Sequence, residues 1–445
     1  MVAAGQACGQ ALSVGVVAVR AHRSVRTAAW PLLGMSVALQ FIEQRSQLTV
    51  TVLSAGCAIA ASIVHGPARP PRAPLALVLY FVWCALSITW SDLPGTTLGG
   101  VIQHLGMLMV AVVLASRVRS WEDYRAIAWW WGTLYISVVS AAAVLAPERV
   151  RHQTGELMGN FRGLAGHKSA FGTFVLLAIV GVLCGRGSEK IPSIARYVTP
   201  IVAAVGLWML WQSQSTTALI GAVLSGSITL LIYVARQTEG ASIATIALSL
   251  PIAAILGYGV TFADASQSVG KDSTLTGRTV VWAAVQEQVQ QRPFVGYGFK
   301  ASWEKSTGAT RAIWGEVRAR GMGDWRPGIA HNSALEVLLG VGFIGLALVL
   351  AVILPTMIAT LRLAVAGDFP SATSLLPLLQ TSIFLAYSIS ERGIGQDQGF
   401  LVLAIVACCV SSFRSDVSDK VNSGHATTVA ASEGTAAPFN QSVSR

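Results

Sequence analysis

Charged residues are scarce in this chain. Of its 445 residues only 12% are charged, whereas 53% are hydrophobic and the mean hydropathy is +0.59. Soluble domains usually carry about 25% charged residues, so this composition excludes an ordinary water-soluble enzyme. It also excludes a disordered chain, which would be poor in apolar residues. The apolar residues fall in runs of roughly 20, which indicates a polytopic membrane protein.

Residue patterns that hold metals or form disulfides are lacking. The chain has six cysteines, and none of them stands at metal-ligand spacing from a histidine. We therefore expect the cysteines to be small buried hydrophobic residues rather than disulfide partners or zinc ligands. The net charge of +10 does not indicate nucleic-acid binding, because the basic residues lie between apolar runs and not on one polar face.

Apolar segments of membrane-spanning length occur along most of the chain, and their spacing predicts an all-α protein with about twelve transmembrane helices. The segments are 28–42, 48–64, 73–90, 98–115, 126–146, 168–184, 197–212, 216–236, 242–262, 333–354, 374–389 and 397–412. The chain then divides into an N-terminal segment 1–27, helices one to nine in 28–262, a large loop 263–332, helices ten to twelve in 333–412, and a tail 413–445. The tail is rich in Ser, Thr, Ala and Gly, which is typical of disorder.

The distribution of Lys and Arg over the loops predicts the orientation. With the N-terminus inside the cell, the inner loops hold thirteen basic residues and the short outer loops six. This asymmetry follows the positive-inside rule, so we expect both termini in the cytoplasm. Loop 263–332 is then external and still carries nine basic residues. Together with the basic loop 147–167 it suggests an anionic ligand outside the membrane, although lipid headgroups could also account for basic loop residues.

Particular side chains near this external surface suggest chemistry. Arg278 and Trp282 lie four residues apart, on one face of a predicted helix, and an arginine fork can pair two phosphate oxygens. His331 ends the loop at the membrane boundary, where it could act as a general base or simply bond the backbone at a helix start. Glu336 should face protein or water rather than lipid. Close approach of a neighbouring helix is expected at Gly340, Gly342 and Gly345.

These segments together resemble the O-antigen ligase and polymerase family of bacterial membrane glycosyltransferases (Wzy-type). The family pattern is His, then Asn, Ser or Gln, nine residues, Gly, two residues, and Gly, Thr or Tyr. In this chain it is formed by His331, Asn332, Gly342 and Gly345. Segments 275–298 and 161–168 are similar to the exopolysaccharide polymerisation branch. The resemblance covers about 155–350 in motifs and the whole chain in topology.

The resemblance implies a GT-C-like helical fold in the bacterial inner membrane, with the active site facing the periplasm. It implies that a glycan on undecaprenyl diphosphate is transferred with inversion and without a metal or cofactor. By motif, His331 becomes the base that activates the acceptor hydroxyl, and Arg278 the clamp on the diphosphate. Further contacts with the diphosphate or the glycan are assigned to Arg162, Lys168, Arg292, Asn332 and Trp282. Expected partners are the lipid-linked donor, a glycan or lipid acceptor, membrane lipids and a chain-length regulator.

Three activities stay open at this stage. Segments 161–168 and 275–298 favour a polymerase that joins repeat units into exopolysaccharide or O-antigen. A ligase that moves a finished glycan onto lipid A core is the alternative. A transporter or glycan flippase is more remote, because the longest loop comes late in the chain and the two halves show no clear repeat.

Overall fold

The computed structural model of the protein describes most of the chain, with several gaps. The described residues are 29–42, 47–65, 72–153, 157–237, 274–366, 372–393, 395 and 397–413. Their regular structure is helical apart from an isolated antiparallel bridge between Arg151 and Phe161. The all-α class is therefore confirmed. The predicted segments 1–27 and 242–262, the first part of the loop and the tail after Phe413 lie outside the described residues.

Helices occupy every predicted apolar segment that falls within the described residues, and two further helices lie within the large loop. In chain order the helices are α1 (29–40), α2 (Gln47–His65), α3 (Leu75–Leu86), α4 (Pro94–Arg117), α5 (Trp121–Leu145), α6 (Lys168–Gly185), α7 (Ala195–Ser213), α8 (Thr216–Gln237), α9 (Thr274–Gln291), α10 (Gly308–Ala319), α11 (Ser333–Ala366), α12 (Ala372–Ser390) and α13 (Asp397–Phe413).

Six of the described helices are long and apolar enough to cross a membrane, namely α4, α5, α6, α8, α11 and α12. Shorter apolar helices coincide with α2, α3 and α13. The chain is thus a multi-pass helical membrane protein, as predicted. The number of twelve spans and the division into domains stay predictions.

Helices α6 and α12 form the centre of the bundle. In both, 72% of the spanning segment is buried, against 33% in α8. The exposed face of α8 carries Leu219, Val223 and Leu230, which suits contact with lipid tails. α8 nevertheless packs on α12, and Thr217 near its start bonds Ser390 at the end of α12. The two helices are therefore antiparallel neighbours.

Ion pairs gather at the end of the bundle where α5 and α12 begin. Ser120 and Asp123 form a capping box at the start of α5, and the buried Asp123 also pairs with Lys190. Arg125 pairs with Glu122 at 3.1 Å and donates to Oγ1 of Thr373, at the start of α12, at 3.1 Å. This end holds basic residues that the Lys and Arg count assigns to the cytoplasm.

The described part of the large loop is a small folded unit. Val281 and Val285 of α9, Ile313 and Val317 of α10, and Leu339 of α11 share one hydrophobic core that is separate from the core of the bundle. The loop therefore rests on the first turns of α11. The helix predicted around Arg278 is confirmed, whereas α10 was not predicted.

The segment 293–298, which follows α9, docks into a break in α11. Gly342 has φ 69° and ψ −170°, a conformation that interrupts the helix and is essentially confined to glycine. Phe343 N donates to Pro293 O at 2.8 Å, and a Cβ on Gly342 would lie 2.2 Å from the backbone of Phe294. Close approach at this glycine is therefore confirmed, but the neighbour is a loop and not the expected helix.

Candidate active site

His331 stands at the point where the large loop enters α11, and its neighbours are both anchored. Its φ is 51°, a left-handed conformation that is uncommon for a residue with a side chain. After it, Asn332 caps α11, since Oδ1 accepts from Leu335 N at 3.1 Å. Before it, Trp282 Nε1 donates to Ala330 O at 2.8 Å. The loop and the helix cap together fix the backbone at His331.

Glu336 adds a second anchor to the same stretch. Its carboxylate is buried and accepts from Ala330 N at 2.5 Å and from Trp303 Nε1 at 2.9 Å. The expectation that Glu336 faces protein rather than lipid is confirmed. Its role here is to hold the residue that precedes His331.

A carboxylate from the end of α12 meets the His331 ring. Oε2 of Glu391 lies 3.0 Å from Nδ1 of His331, and the Glu391 side chain is only 4% exposed. Burial alone would raise the pKa of Glu391, but the hydrogen bond and charge of His331, with Arg278 and His167, hold this pKa below its usual value. An ionised carboxylate can only accept, so Nδ1 carries the proton of the bond. In neutral His331 the Nε2 lone pair is then available as a base.

Arg278 reaches the same carboxylate from α9. Its Nη2 lies 3.5 Å from Glu391 Oε1, and its Nη1 donates to Ser390 O at 3.1 Å. Trp282, one turn further along α9, contacts Ala330. The predicted shared face of Arg278 and Trp282 is therefore confirmed, and it places a guanidinium beside the histidine.

Backbone hydrogen bonds tie the histidine segment to the chain that carries Glu391. Ser333 Oγ donates to Glu391 O at 2.9 Å and accepts from Gly393 N at 2.7 Å. Asn332 Nδ2 lies 3.4 Å from Ile389 O. Asn332 thus has two contacts within the protein, and its predicted contact with substrate stays a prediction.

Two further histidines lie beside this cluster. The rings of His152 and His167 are 5.7 Å apart, and His167 caps α6 by accepting from Ser169 N at 3.3 Å. Burial lowers the pKa of both histidines below the usual value. The pKa of His167 also responds to the charges of Glu391, His331 and Arg278, so the start of α6 faces the His331 site.

Arg162 and Lys168 come from this second loop. Arg162 N donates to Val150 O at 2.8 Å in the short turn that holds His152, and both basic residues help to lower the pKa of His152 after the effect of burial. The structure thus brings both predicted phosphate contacts beside the histidine pair. Whether they bind phosphate stays a prediction.

Arg292 has different neighbours. It pairs with Asp92 at 3.0 Å, and its guanidinium lies 4.7 Å from the centre of the Tyr297 ring. These contacts attach the segment 293–298 to the chain before α4. They give Arg292 an evident structural role, and its predicted contact with substrate stays a prediction.

Sequence reasoning missed Glu391. A signal was present, because an acidic residue directly after the apolar run 374–389 lies at the membrane boundary, where a charge is costly and often functional. Its partner His331 is 60 residues away in sequence, and no spacing rule connects the two. Among the described residues no group of three or more His, Cys, Asp or Glu side chains could hold a metal ion.

The site therefore belongs to a multi-pass membrane protein that presents a histidine–carboxylate pair among several basic side chains. A family model described as O-antigen ligase matches residues 201–350. The chain is also 24% identical over 314 residues to the exopolysaccharide production protein ExoQ of Rhizobium meliloti (strain 1021), over 66% of this chain and 67% of that protein. Both comparisons support the resemblance to the O-antigen ligase and polymerase family. The residues that the family model matches include Arg278 and His331, whereas Glu391 lies beyond them.

Proposed function

We propose that the protein is a glycosyltransferase of the inner membrane that joins saccharide units carried on undecaprenyl diphosphate into an exopolysaccharide. The observation that carries this proposal is the contact of His331 and Arg278 with one buried carboxylate, Glu391. A histidine and a guanidinium thus lie side by side, which supports the proposal because transfer from a lipid diphosphate requires a base and a phosphate-binding group. The similarity to a protein named for exopolysaccharide production supports the choice of product.

The acceptor hydroxyl is activated by His331. With its Nδ1 proton directed to Glu391, the ring takes the hydroxyl proton on Nε2 as the oxygen attacks the anomeric carbon of the donor sugar. The bond from that carbon to the diphosphate oxygen breaks on the opposite face, so the configuration at the carbon inverts. Glu391 stabilises the imidazolium that forms, as the carboxylate does in a serine protease triad.

The leaving undecaprenyl diphosphate is stabilised by cationic side chains. Arg278 can turn from Glu391 to two phosphate oxygens, because its pairing with Glu391 is long at 3.5 Å. Arg162 and Lys168 add positive charge from the start of α6. We propose that these three residues perform the charge stabilisation that a divalent cation provides in other transferases.

The periplasmic side is inferred from charge and connectivity. The site joins the end of loop 147–167, the large loop and the chain between α12 and α13, and the Lys and Arg count assigns all three to the outside. The opposite end of α12 bonds Arg125, which the same count places inside. A donor presented in the outer leaflet would meet this site directly.

A ligase is the second candidate, because the matching family model is described as O-antigen ligase. The same base and clamp would then move a finished glycan to a lipid acceptor. A flippase is less favoured, since the longest loop comes late in the chain and the two halves show no clear repeat. A chain-length regulator would be a partner of the polymerase only.

The test separates these activities by their accumulated intermediates. In a deletion strain, single repeat units on the lipid carrier with loss of polymer indicate a polymerase. Full-length polymer stranded on the carrier indicates a ligase, and lipid-linked units confined to the inner leaflet would contradict both. Re-expressed wild-type protein should restore product, whereas His331→Ala should not, and Arg278→Lys should restore little because a point charge cannot replace the fork. Full restoration by His331→Ala at equal membrane level would remove this base from the mechanism.

A further inference from the structure

A buried ionic cluster lies just beyond Glu391, at the start of α13. Asp397 Oδ1 accepts from Lys300 Nζ at 2.5 Å, and Asp397 Oδ2 accepts from Arg392 Nε at 2.6 Å. The side chains of Asp397 and Lys300 are 8% and 14% exposed. Two cations therefore share one buried carboxylate, although the Arg392 side chain itself is 34% exposed.

Lys300 enters the cluster from the loop that follows α9. Its stem packs against Gly100 of α4, where a Cβ would lie 3.1 Å from it, and its Nζ also donates to Gln103 Oε1 at 2.7 Å. This contact explains why the apolar helix α4 carries a buried amide. The cluster thus joins α4, the large loop and the chain between α12 and α13.

Arg392 is the residue next to Glu391, yet its guanidinium is bound by Asp397. The Glu391 carboxylate contacts His331 at 3.0 Å and Arg278 at 3.5 Å. The charge of Arg392 already acts on Glu336. Released from Asp397, the guanidinium would have Glu391 as its neighbouring carboxylate in sequence, and there it would compete with the His331 ring for that acceptor. The Arg392 side chain is 34% exposed and that of Glu391 only 4%, so a new pair between them would form on a buried carboxylate.

The backbone around Asp397 is held independently of its carboxylate. Tyr80 Oη donates to Gly395 O at 2.6 Å, and Gly393 N donates to Ser333 Oγ at 2.7 Å. A Cβ on Gly395 would lie 2.8 Å from the side chain of Val337, so the chain is closely packed there. Replacing the carboxylate by an amide of the same shape should therefore change the charge and leave the backbone in place.

We propose that Asp397 is a positioning residue for the transfer reaction, which binds Arg392 and thereby keeps Glu391 available to His331 and Arg278. This inference rests on the proposed function for its effect on catalysis, but the arrangement of charges can be tested without it. The groups that face Glu391 are His331 from the start of α11, Arg278 from α9 and His167 from the start of α6. Asp397 in turn binds Arg392, the cation that directly follows Glu391 in sequence.

The kinetic experiment compares three variants of the full-length protein in membranes with a lipid-linked saccharide donor. Asp397→Asn should lower kcat by about 10- to 100-fold with little change in KM for the donor, since a misplaced base affects the chemical step. Arg392→Met should stay near wild type. The double variant should recover to the level of Arg392→Met, because the competing guanidinium is gone.

The outcomes decide between electrostatic positioning and a merely structural role. A folded double variant as impaired as Asp397→Asn would overturn the proposal, and so would full activity of Asp397→Asn alone. If Asp397→Asn does not fold, the double variant alone tests the proposal. If the double variant does not fold either because Lys300 is unpaired, adding Lys300→Met should restore folding. Activity of the folded variant near that of Arg392→Met supports the proposal, and inactivity refutes it.

A measurement of stability separates this inference from the proposed function. In a thermal-unfolding cycle, Glu391→Gln and Arg392→Met should act independently in the wild-type background. With Asp397→Asn present, the two should become coupled, because Arg392 then pairs with Glu391. Absence of coupling in both backgrounds would overturn the inference. Coupling in a protein that transfers no glycan would leave the inference standing and refute the proposed function.

Discussion

Glu391→Gln tests the link between the buried carboxylate and the candidate base. The substitution keeps the size of the side chain and removes its charge. A glutamine amide can present its NH₂ group to Nδ1 of His331, which would favour the proton on Nε2 and leave the ring unable to accept from the substrate. It also removes the charge that stabilises the imidazolium formed during transfer.

The size of the effect follows from the 3.0 Å contact. A hydrogen bond to a charged group contributes about 1.5–3 kcal/mol, and the Glu391 side chain is buried enough for the upper part of that range to apply. If this energy is lost only in the transition state, kcat falls by about 10- to 150-fold. Loss of the correct ring tautomer would add to this, so the figure is a lower bound.

The assay is the initial rate of polymer formation by purified protein in lipid, at saturating donor. The matched control is Glu316→Gln, which removes an exposed partner of Arg320 on α10 in the same loop unit. Such surface pairs contribute little, so the control should keep wild-type rates. A Glu391→Gln protein that is folded and as active as the control would refute the orientation of His331 by Glu391.

Two further predictions concern the glycine break and the histidine pair. Gly342→Ala should destabilise the protein by more than about 1–3 kcal/mol, because its backbone conformation is strained for alanine and its Cβ would overlap Phe294. Gly226→Ala in α8, where the added Cβ meets nothing within 4 Å, should be neutral or slightly stabilising, and equal melting temperatures for both would contradict the break. The lowered pKa of His167 means that the unfolded chain binds a proton first as pH falls below 6.5, so stability should fall there. His167→Asn retains a helix cap and should flatten this part of the curve of melting temperature against pH, and an unchanged curve would contradict the assignment.

The sequence predicted those features that depend on local patterns. Apolar runs predict the helices of the bundle because a span must be apolar along its whole length. Helical spacing predicts the shared face of Arg278 and Trp282, because residues four apart on a helix lie on one side. The position of His331 was predicted by the family pattern and by its place at the end of a polar loop.

Features that depend on contacts between distant segments could not be predicted. Glu391 and Asp397 lie in a short connection whose residues show no periodicity, and their partners His331 and Lys300 lie 60 and 97 residues away in sequence. Nothing in a single sequence distinguishes a buried paired carboxylate from an exposed one at a membrane boundary. Helix α10 was missed for a related reason, since its apolar face packs in a core that it shares with α9 and α11.

The histidine and the first glycine of the family pattern, His331 and Gly342, occupy different places in the structure. His331 and Gly342 are separated by 11 positions, about 16 Å along a helix, so the glycine is too far away to contact the reacting atoms at the histidine. Its function is to break α11 where the segment after α9 docks, through Phe343 N to Pro293 O. That segment fixes the end of α9, the helix that carries Arg278. In the proposed mechanism the histidine of the pattern is the base, and we infer that the glycine helps to position the helix whose guanidinium lies beside that histidine.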